Sequence, residues 1–398
     1  MKRLTNLIGG EWFPPQDGQY FDDHNPATGA KIAEIPSSTA DDIEAAVAAA
    51  RAAQPAWGAL PPGERADWLD RIADALEARS AEIAELESRD TGKPVALARA
   101  VDAARSVLNF RFFAELGREL PEEQYLMEDA LNVVVRKPVG VAGLITPWNL
   151  PLYLLSWKVA PAIGMGNTVV CKPSELTPLT ANLLAEVIAE TGLPDGVFNL
   201  VHGTGEHAGA PLVAHDDVRL ISFTGGTDTG ARVAASAAAG FKKLSLELGG
   251  KNSTIVFADA DMESTIQGVV RAGFLNQGQV CLCGSRILVE RSIYTDFRDR
   301  FLTAVENMPV GDPSDPDTEL GALISPEHRD KGAGYIDLAQ EEGGTIVCGG
   351  GAPEGIPEEF AGGNWLAPTV IDGLSADSRC STEEIFGPIV TLHPFDTE

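Results

Sequence analysis

The chain has 398 residues, with 58 acidic against 30 basic side chains and a formal net charge of −28. This length allows two or three domains with a large core, and 44% hydrophobic with 22% charged residues is ordinary for a soluble globular protein. So negative a surface argues against nucleic acid and anionic membranes as partners. Charged residues or prolines interrupt every apolar run before it reaches the length of a membrane span.

Cysteine usage and the start of the chain bear on the cellular compartment. The five cysteines are odd in number and mostly far apart, which argues against a disulfide framework and for a reducing compartment. No sustained apolar stretch precedes Glu11, as a signal peptide would require. We therefore predict a cytoplasmic protein.

No metal site is predicted from the sequence. Cys281 and Cys283 form a single C-x-C motif without a second cysteine pair, and no H-x-x-x-H motif occurs.

The N-terminal third is predicted to contain short strands and then helices. Residues 5–36 are rich in Gly, Pro and Asp with short alternating pieces, which is typical of strands and turns. Thr39 is expected to cap a helix that runs to about Ala53. Apolar residues at helical spacing predict further helices over 61–79, 82–90 and 97–116.

From residue 139 to 240, predicted strands and helices alternate at the spacing of βαβ units. The strands are expected at 139–146, 168–171, 197–201 and 220–223, and the helices at 151–163, 177–190, 205–213 and 227–239. Such alternation predicts an α/β fold with a mainly parallel sheet. Further strands are expected at 132–137, 244–248, 254–257, 286–290, 345–348, 369–371 and 389–395, and further helices at 262–276, 292–307 and 328–342.

Two turns of the alternating region suit a dinucleotide. Phe223-Thr-Gly-Gly-Thr-Asp-Thr-Gly230 opens a helix whose N–H groups and dipole favour a pyrophosphate, although a plain βα turn also uses glycines. Lys172 and Glu175 lie at the end of a predicted strand. There Lys172 could donate a hydrogen bond to a ribose or phosphate, and Glu175 could accept one from a 2′-hydroxyl. Because a carboxylate would repel a 2′-phosphate, this favours NAD over NADP. The alternative is a solvated ion pair.

Three side chains suit acyl chemistry. Asn149, between two prolines, offers an amide to an oxyanion, or else caps a turn. Glu247 alternates with leucines in Ser-Leu-Glu-Leu-Gly-Gly-Lys, and a carboxylate in semi-apolar surroundings has a raised pKa that suits a general base. Cys281 lies between Gly278 and Gly284, which allow tight turns or close backbone approach. A buried packing thiol is the commoner fate of a lone cysteine.

Together and in this order, these motifs resemble the aldehyde dehydrogenase superfamily over residues 4–398, most specifically in Leu-Glu-Leu-Gly-Gly-Lys and Asn-Gln-Gly-Gln-x-Cys. The resemblance implies a Rossmann-like cofactor domain, an α/β catalytic domain and a bridging oligomerisation hairpin. The NAD-binding domain would comprise 1–122 and 139–248, part of the hairpin 123–138, and the catalytic domain 249–398. Family members continue by about one short subdomain, so we expect a fragment with an incomplete catalytic domain.

The resemblance also assigns roles to residues. It implies that Cys281 is the nucleophile, that Glu247 is the general base for hydrolysis of a thioester, and that Asn149 forms the oxyanion hole with the N–H of Cys281. Gly226 stands where many members carry Ser, so one hydrogen bond to a phosphate is expected to be lost. The residues expected to hold NAD are Thr146, Trp148, Lys172, Ser174, Glu175, Gly225, Gly226, Gly230, Glu384 and Phe386.

The segment around Arg105, the Trp-Asn-Leu-Pro-Leu-Tyr motif and Cys-Leu-Cys are similar to the 2-aminomuconic and 2-hydroxymuconic semialdehyde dehydrogenases. In that group an arginine matching Arg105 grips the distal carboxylate of the substrate, a contact that suits a guanidinium fork. A helix-surface arginine is the alternative. The resemblance therefore implies NAD-dependent oxidation of a muconic-type semialdehyde in aromatic catabolism or tryptophan breakdown, by a homodimer or homotetramer when full length. The alternatives are a broad-specificity aliphatic or betaine aldehyde dehydrogenase, and a non-catalytic fragment that binds NAD or a partner.

Overall fold

The chain folds into two compact units in a computed structural model that describes residues 2–397. The first unit comprises the chain up to Asp23, Ile32–Glu87 and Arg99–Glu247. The second comprises His24–Lys31, Ser88–Ala98 and the chain from Leu248 onward. Met1 and Glu398, which end two of the predicted domains, lie outside the described residues.

The strands and helices are numbered separately in chain order. The strands are β1 (Lys2–Arg3), β2 (Asn6–Ile8), β3 (Glu11–Phe13), β4 (Tyr20–His24), β5 (Lys31–Pro36), β6 (Gln124–Leu126), β7 (Leu131–Val133), β8 (Val141–Ile145), β9 (Thr168–Lys172), β10 (Phe198–Leu200), β11 (Val218–Thr224), β12 (Lys243–Glu247), β13 (Ser253–Val256), β14 (Arg286–Glu290), β15 (Thr345–Cys348), β16 (Thr369–Asp372) and β17 (Ile389–Phe395).

The α-helices are α1 (Ala40–Gly58), α2 (Pro62–Ala78), α3 (Ser80–Thr91), α4 (Val95–Ala98), α5 (Ala104–Glu119), α6 (Pro151–Gly164), α7 (Leu179–Thr191), α8 (Ala210–Ala214), α9 (Thr227–Ala238), α10 (Met262–Phe274), α11 (Tyr294–Glu306), α12 (Pro326–Glu341) and α13 (Arg379–Thr382). Within residues 2–397, no helix combines the length and the apolar character needed to cross a membrane.

A seven-stranded sheet organises the first unit, in the order β12-β11-β8-β9-β10-β2-β3. The strands from β12 to β10 are parallel, while β2 and β3 join the edge antiparallel. In the parallel register Ile145 lies opposite both Lys172 and Phe223, and Thr224 lies opposite Glu247. The carboxyl ends of these strands therefore meet at one edge of the sheet, which is where parallel sheets bind ligands.

Helix α6 shows how the helices of this unit cover the sheet. Its apolar residues recur every three to four positions and form one face, as a core-facing helix requires. That face is fully buried in the main core of the unit and consists of Leu152, Leu155, Val159, Ala160 and Ile163. The motif loop that precedes α6 is thus anchored by the packing of the helix itself.

The second unit is organised by a five-stranded sheet in the order β13-β14-β17-β16-β15. All of its pairings are parallel except that of β15 with β16. Helices α10 and α11 pack on it through a core that includes Phe274, Phe297 and Phe301. The segment that carries Cys281 connects α10 to β14, so both of its ends are fixed by this core.

The predicted α/β fold with parallel strands is confirmed, although several elements differ in extent. The predicted strand 132–137 is shortened to β7, which pairs with β6, and one further hydrogen bond joins the N–H of Val134 to the carbonyl oxygen of Glu123. The predicted helix over 97–116 is divided by a wider π-helical turn at Arg99–Ala103. The helix predicted over 262–276 ends at Phe274, because left-handed backbone follows at Asn276 and Gln277.

Candidate active site

The segment before Cys281 has an unusual backbone. Asn276, Gln277 and Gly278 have φ angles of 53°, 58° and 67°, and left-handed backbone costs a non-glycine residue on the order of 1 kcal/mol or more. Both non-glycine residues are buried. Strained backbone persists only where the surrounding structure stabilises it. We therefore expect contacts that hold this segment in one conformation.

Hydrogen bonds to other parts of the second unit supply that support. The Gln277 amide donates from Nε2 to the carbonyl oxygen of Ala322 at 2.9 Å, and Gln279 Oε1 accepts the N–H of Ile324 at 3.2 Å. A Cβ at Gly278 would collide with the carbonyl oxygen of Gly387. The tight turn and close backbone approach expected at Gly278 are therefore confirmed.

The two nearby thiols differ in their surroundings. Cys283 is largely enclosed: its Sγ donates to the carbonyl oxygen of Gly273 at 3.1 Å, and burial raises its pKa to about 12. Cys281 is half-buried, and its carbonyl oxygen accepts a hydrogen bond from Asn252 Nδ2 at 2.7 Å. Its enclosure gives Cys283 the character of a packing thiol.

Glu384 and Phe386 lie in the same unit as Cys281. Glu384 Oε1 accepts the N–H of Gly250 at 3.0 Å, and a side chain at Gly249 would collide with the Glu384 carboxylate. Phe386 has a left-handed φ of 63°. His328 Nε2 lies 2.6 Å from the carbonyl oxygen of Phe386, and burial lowers the pKa of His328, which favours a neutral ring that donates this bond.

In the first unit, the buried Lys172 forms an ion pair with the half-buried Glu175. Their Nζ and Oε2 atoms are 2.7 Å apart, and Lys172 is 2% exposed. Burial lowers the pKa of Lys172; burial opposes ionisation of Glu175 too, but the charge and hydrogen bond of Lys172 hold its pKa below the usual value. A solvated surface pair, the alternative considered above, does not describe this arrangement.

The glycine-rich turn joins β11 to α9 as predicted. Gly226 is extended at the N-cap, and no side chain of the described residues caps α9. Thr224 Oγ1 is buried without a hydrogen-bond partner among residues 2–397. N–H groups at a helix N-terminus beside an orphaned hydroxyl fit a phosphate, whereas Asp228 in the first turn adds one unfavourable charge. Together with the Lys172–Glu175 pair, this end of the sheet fits a dinucleotide such as NAD.

The loop between β8 and α6 holds further predicted residues. Thr146 and Asn149 are buried and Trp148 is half-buried. The N–H of Thr146 donates to the carbonyl oxygen of Lys172 at 3.2 Å, and Ser174 Oγ accepts the N–H of Leu176 at 3.2 Å. The loop is therefore fixed to the neighbouring strand end, with the Asn149 amide in a sheltered position suited to a positioned donor.

Glu247 ends β12, the edge strand of the sheet, and its surroundings differ from the expectation. Its carbonyl oxygen accepts the N–H of Gly225 at 3.1 Å. The side chain is exposed rather than in the predicted semi-apolar surroundings, because one side of an edge strand is unpaired and β12 exposes most of its residues. The alternation with leucines thus identified the strand but not the environment of the carboxylate.

Lys158 is a buried amine that the motifs did not indicate. It lies on α6, and its Nζ donates to Ser222 Oγ on β11 at 2.8 Å. Burial lowers its pKa to about 8, against the opposing influence of the Glu247 charge. Because the unfolded value is near 10.4, the folded state disfavours the protonated amine. This penalty is complete below about pH 8 and disappears as the pH rises past about 10.

We expect Lys158→Met to stabilise the protein by about 1–3 kcal/mol at pH 7, because it removes the cost of a buried charge. The gain should shrink toward zero by pH 10, as the wild-type amine deprotonates. Denaturant unfolding of both proteins at pH 7 and pH 10 measures this, with Lys243→Met, at an exposed position of β12, as the control. A gain that is equal at both pH values would contradict the prediction.

The structure places the predicted residues in both units. Cys281, Glu384 and Phe386 belong to the second, and all the others belong to the first. Sequence reasoning missed Lys158, Asn252 and His328, which act on neighbours distant in sequence. The position of Asn252 directly after Gly-Gly-Lys was the one available signal.

Three comparisons place this site among known proteins. The model of the aldehyde dehydrogenase family matches residues 12–398. The chain is 49% identical over 398 residues to 2-aminomuconic semialdehyde dehydrogenase of Mus musculus, covering 99% of this chain and 81% of the relative. It is 47% identical over 405 residues to 2-hydroxymuconic semialdehyde dehydrogenase of Pseudomonas sp. strain CF600, covering 100% and 83%.

A solved structure agrees with the sequence relatives. The crystal structure of PnpE in complex with nicotinamide adenine dinucleotide superimposes with a TM-score of 0.96 at 41% identity, covering 99% of this chain and 80% of that one. The predicted family, fold, enzyme class and cofactor are thereby confirmed. The chain belongs to the aldehyde dehydrogenase family, as an NAD-dependent oxidoreductase that acts on aldehydes.

Proposed function

We propose that the substrate is a muconic-type semialdehyde, an unsaturated aldehyde that carries a distal carboxylate. The observation that carries this proposal is that Arg105 has no acidic partner among residues 2–397. Its Nε is buried without a hydrogen-bond partner, and within residues 2–397 no carboxylate pairs with it. In a chain with a net charge of −28, an arginine without an acidic partner is a ready site for an anionic ligand. The names of the relatives at 47–49% identity support the same substrate class.

The proposed chemistry uses three residues. The thiolate of Cys281 attacks the aldehyde carbon, and the resulting oxyanion accepts hydrogen bonds from the Asn149 amide and the N–H of Cys281. Bound NAD would supply the acceptor for the hydride that leaves this carbon. The product is a thioester on Cys281. Glu247 then takes a proton from the water that attacks the thioester, which releases the acid and restores the thiol.

The residues proposed to hold NAD follow from the polar and glycine positions described above. Lys172 and Glu175 would bind the adenosine ribose, because this ion pair at a strand end offers both a donor and an acceptor. Gly225, Gly226 and Gly230 would leave room for the pyrophosphate at the start of α9. Glu384 would bind the nicotinamide ribose and Phe386 would lie beside the nicotinamide, while Thr146, Trp148 and Ser174 would line the same site.

The proposal also covers the oligomeric state of the protein, its division into domains and its cellular compartment. The hairpin β6–β7 exposes Leu126 (86%) and Leu131 (57%), among other apolar side chains. Burying them in a contact between subunits would remove this apolar surface from water. We propose a cytoplasmic homodimer or homotetramer, with 123–138 contributing to the subunit contact. The NAD-binding part would be 1–122 and 139–248, and the catalytic part 249–398.

The substrate proposal predicts a selective effect of Arg105→Ala. The KM for succinic semialdehyde and for 2-hydroxymuconic semialdehyde should rise by about 10- to 100-fold, since a charged hydrogen bond contributes about 1.5–3 kcal/mol. The KM for butanal, the four-carbon aldehyde without a carboxylate, should change far less. Steady-state NADH formation measures both.

Arg111→Ala is the matched control. Arg111 lies on the same helix but pairs with Asp74 at 2.9 Å and with Glu77 at 2.5 Å. It should leave the preference for the charged aldehyde unchanged. Equal effects of Arg105→Ala on charged and neutral aldehydes would refute the carboxylate role and favour a broad-specificity aliphatic or betaine aldehyde dehydrogenase.

A further inference from the structure

Arg105 on α5 is held by the side chain of Tyr153 on α6. Its Nη2 lies 3.3 Å from the tyrosine hydroxyl, and its guanidinium carbon lies 5.1 Å from the centre of the tyrosine ring. The ring thus receives the cation near its face while the hydroxyl accepts one of its N–H groups, a combination that a cation–π contact permits. The buried Nε has no hydrogen-bond partner among residues 2–397, so these residues do not saturate the donors of the guanidinium.

The other two arginines of α5 differ from Arg105 in having carboxylate partners. Arg111 is bracketed by two carboxylates, and Arg118 likewise pairs with Asp67 at 2.6 Å and with Asp70 at 2.7 Å. Two carboxylates neutralise a guanidinium and occupy its donors. An aromatic ring orients a guanidinium without neutralising it. Along one helix, therefore, only Arg105 is fixed in place with its positive charge left available.

Tyr153 is itself anchored to α5. Asn109 Nδ2 donates to the carbonyl oxygen of Tyr153 at 3.2 Å and to Ser156 Oγ at 2.9 Å. Ser156 Oγ donates to the same carbonyl at 2.8 Å. Asn109 and Ser156 are both buried, so this network fixes the backbone of Tyr153 relative to the helix that carries Arg105. Asn149 precedes Tyr153 by four residues, in the loop that leads into α6.

We propose that Tyr153 is a positioning residue that presents the Arg105 guanidinium to the distal carboxylate of the substrate. The inference rests on the proposed function, because it assumes that Arg105 binds that carboxylate. An arginine side chain has about 2 kcal/mol of rotamer entropy, and holding it in advance reduces the cost of ordering it when substrate binds. Tyr153 acts through Arg105 alone, so its contribution disappears when Arg105 is removed.

The test compares KM values for succinic semialdehyde and butanal in a set of variants. Tyr153→Leu removes the ring face and the hydroxyl, and should raise the KM for succinic semialdehyde by about 3- to 30-fold, as expected for a cation–π contact. The rise for butanal should be smaller. Tyr153→Phe keeps the face and should recover most of the affinity. In the Arg105→Ala background, Tyr153→Leu should add no further selective loss.

Trp157→Phe is the matched control, since Trp157 lies one turn further along α6 and packs against Phe113 of α5. It should leave the ratio of the two KM values unchanged. If Arg105→Ala is selective but Tyr153→Leu affects both aldehydes equally, or adds fully to Arg105→Ala, Tyr153 has a general packing role and the inference is wrong. If Arg105→Ala raises the KM for both aldehydes equally, the proposed substrate class is wrong, and the inference that depends on it is wrong as well. If Tyr153→Leu does not fold, Tyr153→Phe makes the same comparison through the lost hydroxyl contact alone: a small rise in KM confined to succinic semialdehyde supports the inference, and no change or an equal rise for both aldehydes contradicts it.

Discussion

Cys281→Ala is expected to lose NADH formation by at least about 10⁴-fold in kcat. The proposed pathway has no thioester without this sulfur, and removing an enzyme nucleophile has effects of this order or larger. NAD binding should be retained, because the polar groups proposed to hold the nucleotide do not include the thiol. Steady-state absorbance at saturating NAD measures the first quantity and tryptophan-fluorescence titration with NAD the second.

Cys283→Ala is the internal control for this experiment. Cys283 lies two residues away in the same segment, but its thiol is enclosed and bonded to the carbonyl oxygen of Gly273. Its removal should cost some stability and leave most of kcat. Activity that survives in the Cys281 variant and disappears in the Cys283 variant would reverse the assignment of the nucleophile.

Glu247→Gln is expected to separate the two halves of the reaction. Gln has nearly the shape of Glu but cannot take a proton from water, so hydrolysis of the thioester should slow by about 10²- to 10⁴-fold. Hydride transfer precedes this step and should continue. Rapid mixing with NAD and aldehyde should therefore give a burst of about one NADH per site followed by slow turnover.

The burst distinguishes a general base from a residue needed earlier. A Glu247→Gln enzyme without a burst would show that the carboxylate is required for thiol attack or for NAD binding. A normal steady-state rate would remove Glu247 from the mechanism. The exposed position of Glu247 at the end of an edge strand makes this experiment informative, because its surroundings in the first unit do not by themselves indicate a base.

The alternation of strands and helices could be predicted because it depends on local patterns. Apolar periodicity, turn glycines and prolines located the strands of both sheets and the loops at their carboxyl ends. The Lys172–Glu175 pair was accessible for the same reason, since both residues lie in one short turn. Glycine at 278 was recognisable as a turn signal, although its partner Gly387 was not.

Features that depend on distant partners could not be predicted. The left-handed Asn276 and Gln277 lie in a segment held by distant backbone groups, which nothing in the local sequence indicates. Gln277 donates to the carbonyl oxygen of Ala322, and Gln279 accepts the N–H of Ile324. The lowered pKa of Lys158 follows from its burial beneath the sheet. The contact between Arg105 and Tyr153 joins two helices across 48 positions of sequence. A motif identifies such residues individually, whereas their pairing is a property of the packed helices.

The most direct test of the proposed activity is the ratio of kcat/KM for succinic semialdehyde to that for butanal, measured with NAD on the wild-type chain. The two aldehydes have the same carbon skeleton and differ in the distal carboxylate that Arg105 is proposed to bind. We expect succinic semialdehyde to be preferred by at least about tenfold, equivalent to about 1.4 kcal/mol of transition-state binding. A ratio near one, or a preference for butanal, would contradict the assignment of a carboxylate-bearing semialdehyde as substrate.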